Sequence, residues 1–145
     1  MTDKDLAYLK RLRVRMDDIS DAFERAVFFR VCAGLQLYKQ GRAASKYVTK
    51  TEILEYLVGR GFMKRTAAGK LPDDRRVREA ARELLKCGFP IMATSAEKGY
   101  FIAERTEEID LPQRQNHDRA VAILAVDKGY EKVRALLLGQ QSIFG

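Results

Sequence analysis

The side chains best suited to a chemical task are four cations. Arg75, Arg78, Arg82 and Lys86 recur at steps of three and four residues, so on an α-helix they share one face. Arg76 flanks them. A guanidinium pairs bidentately with a guanine edge or holds a phosphate. When a helix enters the major groove, the residues near its N-terminus reach the base edges. That logic assigns base reading to Arg75, Arg76 and Arg78, and backbone contact to Arg82 and Lys86. Lys50, at a helix start, and Lys98, in a turn, are further phosphate candidates. A solvated face would carry the same spacing, because Glu79 and Glu83 interleave with the cations and can form i,i+4 pairs with them.

No comparable arrangement offers catalysis or metal binding. Cys32 and Cys87 are the only cysteines and His117 the only histidine, and their spacing matches neither a zinc site nor a cysteine nucleophile with its base. Asp17, Asp18 and Asp21 suit helix capping. Glu107, Glu108 and Asp110 read as an acidic linker, and "TAAGK" lacks the spacing of a phosphate-binding loop. Tyr47, Tyr56, Tyr100 and Phe101 could stack on bases, but packing explains aromatics at such positions better. The expectation is a non-enzymatic protein without metal or cofactor.

The chain has 145 residues and a formal net charge of +7, a balance that favours a polyanionic partner, nucleic acid first. No stretch is long and apolar enough to cross a bilayer. The opening "MTDKDLAYLKRLRVRMDD" has no apolar signal-peptide core. The expected location is cytoplasmic and nucleoid-associated, with no membrane partner.

The elements that must position the cations follow from periodicity. Residues 1–19 read as an amphipathic helix, with Leu6, Leu9, Leu12, Met16 and Ile19 on one stripe. It packs on the next helix or pairs with a second copy of the chain. That next helix starts at Ser20 or Asp21, stops at Gly41 and is apolar over so much of its surface that it reads as the central one. Thr49 and Glu52 form a capping-box signature for a short third helix facing inward through Ile53, Leu54 and Leu57. Asp73 and Asp74 open the basic helix, whose inward residues are Val77, Ala80, Ala81, Leu84 and Leu85. β-Prone runs at 91–94 and 100–103, with Gly99 between them, predict a hairpin. After an acidic connector ending at Pro112, two helical stretches are expected at 115–127 and 130–138, the first with Val121, Leu124 and Ala120 inward. The fold class is therefore mostly α with a small β-hairpin.

This order resembles the winged helix-turn-helix superfamily of bacterial and phage DNA-binding proteins. The stretch "RRVREAARELLKCGFPIMATSAEKGYFIA" is similar to a recognition helix and wing, with Phe89, Pro90 and Ile91, then Gly99, Tyr100, Ile102 and Ala103 at the family's positions. The resemblance covers about the middle half of the chain. One departure is the segment 60–72, longer than the usual tight turn and carrying Lys64, Arg65 and Lys70. The implied organisation is an N-terminal helix (1–19), a winged domain (20–104), an acidic linker with C-terminal helices (105–139) and a tail (140–145).

That tail, "GQQSIFG", resembles the short bacterial motif that docks polymerases and repair proteins on the sliding clamp: glutamine, any residue, serine or aspartate, an aliphatic residue, phenylalanine. Gln140, Ser142, Ile143 and Phe144 stand at those positions, with isoleucine for the commoner leucine and a polar Gln141. The resemblance implies that an extended tail plugs Ile143 and Phe144 into an apolar pocket. Phe144 folding back on the terminal helices is the competing reading.

Together these features imply a duplex-DNA-binding protein, either a transcriptional regulator or a replication accessory factor that docks on the clamp. A protein-interaction adaptor using the same fold without DNA is the alternative, and an accessory subunit of a nuclease or helicase the weakest reading. A homodimer is compatible with the apolar seams of the first and last helices.

Overall fold

The computed structural model describes residues 1–94 and 99–144, with side chains described no further than residue 139. Its element order is α1 (Asp3–Met16), α2 (Ala22–Lys39), α3 (Lys50–Gly59), α4 (Arg75–Lys86), β1 (Ile91–Ala93), β2 (Tyr100–Ile102) and α5 (Glu107–Phe144). The protein is mostly helical with a two-stranded antiparallel sheet. It divides into two compact units, Met1–Glu104 and Arg105–Gly145.

In the first unit, local chemistry sets the helix starts. Thr49 accepts the Glu52 N–H at 3.1 Å while its own N–H donates to Glu52 Oε1 at 3.2 Å. This is the reciprocal cap that the sequence signals. Thr2 and Asp5 make a second one at α1, with aspartate where such a cap usually has glutamate or glutamine. Asp21 caps α2 by accepting the Glu24 N–H at 2.8 Å. Each such cap contributes about 1 kcal/mol.

The core assembles around α2. Val27, Phe28, Val31 and Leu35 are fully enclosed, facing Ile53 and Leu57 of α3, Val77 and Leu84 of α4, and Ile91 and Ile102 of the sheet. Complete burial of such a side chain contributes roughly 1.5–3 kcal/mol. The Phe28 ring meets Phe89 edge-on at 5.3 Å. Helix α1 packs on this core through Leu9 and Leu12. It is pinned by Tyr8, whose hydroxyl donates to the Ala103 carbonyl, and by Arg15, which donates to the Gly88 carbonyl at 2.9 Å and lies 4.3 Å over the Phe89 ring.

The strands pair Ile91 with Ile102, Met92 with Phe101 and Ala93 with Tyr100. Alternation sends Ile91 and Ile102 to the main core. Met92, Phe101 and Ala103 form a second cluster covered by Tyr47. The segment entering α3 joins this sheet, because Val48 and Tyr100 exchange two backbone hydrogen bonds of 2.8 Å. Glu104 closes the unit between Lys39 at 2.6 Å and Lys46 at 3.0 Å.

Several expectations need correcting. Leu6, placed on the inward stripe of the first helix, is 46 % exposed. Leu85 is 49 % exposed: one step beyond Leu84, it is turned about 100° away from the centre of the inward stripe. The two expected terminal helices are one, α5, with Pro112, Gly129 and Gly139 inside it. Pro112 sits in the second turn and forgoes one internal bond, to the Glu108 carbonyl. The glycines weaken a helix by about 1 kcal/mol each without ending it. The first turn instead absorbs the acidic connector: Glu107, Glu108 and Asp110 lie at the positive end of the helix dipole. Val121, Leu124 and Ala120 are exposed, not inward.

Candidate nucleic-acid interface

Helix α4 carries its apolar and its cationic residues on opposite sides. Val77, Ala80, Ala81 and Leu84 are buried, while Arg75, Arg78, Arg82 and Lys86 are all exposed. The helix starts without a side-chain cap from Asp74; Asp73 Oδ1 accepts the Arg75 N–H at 2.8 Å instead. Asp74 is thereby available to Arg78, whose Nε lies 3.4 Å from its Oδ1. The Arg78–Asp74 pair acts electrostatically on Tyr100 of β2. Burial foremost, then the Asp74 carboxylate, pushes the Tyr100 phenol up, against an opposing pull from Arg78.

Three of the four cations have local partners. Arg75 pairs with Glu79 at 3.2 Å, Arg78 with Asp74 at 3.4 Å and Lys86 with Glu83 at 2.9 Å. These are solvent-facing one-turn pairs, each worth roughly 0.3–0.5 kcal/mol, so they hold the side chains loosely. Arg82 makes no ion pair among the described residues and stands between them on the same face.

Arg76 is placed differently. Its guanidinium lies 4.0 Å over the Phe23 ring of α2, and its Nη1 reaches the Phe62 carbonyl at 3.5 Å. The structure therefore brings Arg75, Arg78, Arg82 and Lys86 together and turns Arg76 toward α2 and the 60–72 segment. Lys50 is exposed in the first turn of α3. Lys98 lies outside the described residues. So do the side chains of Gln140, Ser142, Ile143 and Phe144, although the α5 backbone remains helical to Phe144.

The 60–72 segment is ordered by its own bonds. The Phe62 and Met63 N–H groups both donate to the Leu57 carbonyl, at 2.9 and 3.3 Å, and Phe62, Met63 and Leu71 pack against the core. Its tip is a closed turn: Thr66 N–H donates to the Lys70 carbonyl at 2.8 Å and Gly69 N–H to the Thr66 carbonyl at 2.9 Å. Arg65 donates to the Gly69 carbonyl at 3.1 Å. Lys64, Arg65 and Lys70 are thus displayed on a shaped loop. Thr66 and Gly69 are the turn signal that hints at it in the sequence.

The aromatics considered for stacking are engaged in packing. Tyr47 meets Phe101 edge-on at 5.2 Å, Tyr56 stacks with Phe29 at 6.1 Å, and Tyr100 and Phe101 are buried. Cys32 and Cys87 are free thiols, the first buried and the second exposed. Among the described residues no group of three His, Cys, Asp or Glu side chains could hold a metal ion, and no helix is long and apolar enough to cross a membrane. No protein-family model matches the chain, and neither the curated proteins nor the solved structures yield a match.

Proposed function

We propose that residues 20–104, within the Met1–Glu104 unit, form a winged helix-turn-helix that binds duplex DNA, with α4 as its recognition helix and no catalytic role. One observation carries the reading: Arg75, Arg78, Arg82 and Lys86 form one exposed face of α4, opposite its buried stripe. The hairpin that follows α4 and the basic 60–72 loop that precedes it flank this face in the chain. Arg75 and Arg78, near the helix start, read base edges. Arg82, Lys86, Lys50 and Lys98 hold phosphates. The exposed ion pairs are weak enough to exchange for phosphate contacts.

The test is duplex binding across a salt series. Four phosphate contacts cost about 10²-fold in affinity between 50 and 200 mM salt. A steep linear fall in log K supports the reading, and absence of binding at low salt sinks it. A second reading, an adaptor that binds protein, is favoured by one observation: Arg75, Arg78 and Lys86 already have carboxylate partners. A pull-down that recovers a protein partner while duplex DNA fails to bind selects it.

The tail adds a replication role to the DNA reading. Gln140, Ser142, Ile143 and Phe144 dock on the bacterial sliding clamp, Ile143 and Phe144 filling an apolar pocket. Because α5 is helical to Phe144, docking as an extended peptide unwinds its last turn, an ordering and unwinding cost that keeps affinity modest. Phe144→Ala abolishes binding to purified clamp; unchanged binding removes the clamp from the proposal and leaves DNA binding intact. The protein then acts on the nucleoid as a replication accessory factor, or, without the clamp, as a transcriptional regulator.

A further inference from the structure

Helix α5 exposes apolar side chains that a lone helix gains nothing by displaying. Ile123, Val126, Tyr130, Val133 and Leu137 alternate at steps of three and four, and each is more than half exposed. That is the spacing of positions a and d in a coiled-coil heptad. Beside this stripe lie Gly129 and Leu136 on one flank, and Asp127 and Arg134 on the other. Val121 and Leu124 fall outside it.

The flanks identify the occupant. We infer that the α5 seam binds a second copy of this chain, antiparallel, about a two-fold axis between positions 131 and 132. In that register Tyr130 layers with the partner's Val133 and Val126 with the partner's Leu137, each twice. Flanking positions then meet in a fixed way. Leu136 lies over the partner's Gly129, large against small, and Asp127 lies beside the partner's Arg134, opposite charges together. Every one of these contacts occurs twice by symmetry.

Other pairings lose this fit. Sliding one heptad in one direction sets Asp127 against the partner's Asp127. Sliding the other way sets Arg134 against the partner's Arg134. A parallel pair stacks Tyr130 on the partner's Tyr130 and leaves Asp127 opposite the partner's Ala122 and Arg134 opposite the partner's Gly129, with no charge pairing. The sequence of this one seam thus disfavours its own alternatives by like-charge contact and supports one by charge and size. The seam spans only about two heptads, so the dimer is reversible. The inference is independent of DNA binding.

Sedimentation equilibrium of the full chain tests it, with circular dichroism to check that each variant keeps its helices. The expected mass rises with concentration from 16.5 kDa to twice that value. Asp127→Arg and Arg134→Asp each place like charges at both flanks and weaken self-association about tenfold. Mixing these two variants restores it, because every flank in the heterodimer again pairs opposite charges. The double variant D127R/R134D restores it within one chain. A monomer at every concentration overturns the inference. So does a dimer indifferent to both reversals, or reversals that neither mixing nor the double variant rescues.

Discussion

A Cβ on Gly99 would stand 2.2 Å from the carbonyl oxygen of Val48 and 2.7 Å from the Thr49 Cα. The backbone of the hairpin therefore crosses the entry to α3 with no room for a side chain, and Gly99 is also at φ +95°, where L-residues are strained. Gly99→Ala is expected to destabilise the Met1–Glu104 unit by at least ~2 kcal/mol, because strain and clash add. Urea denaturation reads this as a lower midpoint with an unchanged slope.

Val48 makes a second close approach, to Gly34 in the middle of α2. A Cβ there would meet Val48 Cγ2 at 2.4 Å and the Lys46 carbonyl at 3.1 Å. Gly34→Ala gains about 1 kcal/mol of helix propensity but over-packs a tight contact at a cost of roughly 1–3 kcal/mol. Val48 is β-branched and buried, so it cannot swing aside, and the net effect is destabilising. A rise in the urea midpoint would show that α2 and the 46–48 segment yield to one another.

Arg82 and Arg76 separate binding from folding. Arg82→Ala leaves the thermal midpoint unchanged and lowers the slope of log K against log salt by about 1, as loss of one phosphate contact requires. Arg76→Ala does the reverse: it removes a cation–π contact over Phe23, worth about 0.5–2 kcal/mol, and lowers the thermal midpoint. If Arg76→Ala instead weakens DNA binding at full stability, its side chain leaves Phe23 to reach the DNA.

The two thiols differ in reactivity. Burial pushes the Cys32 thiol up to about 12, so almost no thiolate forms at neutral pH, whereas Cys87 is exposed. A thiol reagent is expected to modify Cys87 alone in the native protein and both cysteines in denaturant. Rapid native labelling of Cys32 would mean that α1 and α2 part readily.

Stability has an electrostatic edge at each end of the pH scale. The Glu104 carboxylate foremost, with Asp5, raises the Lys39 ammonium above its usual 10.5. Its contribution is present below that value and lost as pH rises through the higher, folded one. The Thr2 backbone N–H foremost, then the Thr2 hydroxyl, hold the Asp5 carboxyl below its usual 3.8. That contribution is present above 3.8 and lost as pH falls below it. Lys39→Met should flatten the alkaline limb of the stability profile and leave most of the acid limb, which a pH series of thermal melts resolves.

Periodicity and capping made the helices of residues 1–104 legible because those signals are local. Thr49 and Glu52 lie three residues apart, and so their reciprocal cap can be read from the string alone. The basic face of α4 was legible for the same reason: the helix repeat alone brings Arg75, Arg78, Arg82 and Lys86 together. The exposure of Leu85 is not legible, because a stripe's width depends on what packs against it. The continuity of α5 is not legible either, because Pro112 and Gly129 weaken a helix without deciding whether it stops.

The amino-acid sequence by itself determined the order of the first four helices, the two strands that follow them, the α4 cation face and the charge pattern of α5, all set by spacings local in the chain. Tertiary structure decided what depends on distant parts of the chain. It turned Arg76 onto Phe23, left Arg82 on the exposed face without an ion pair among the described residues, and brought Val48 against both Gly34 and Gly99. No local rule ranks one arginine of a helix as a brace and its neighbour as free; only the ring beneath it does.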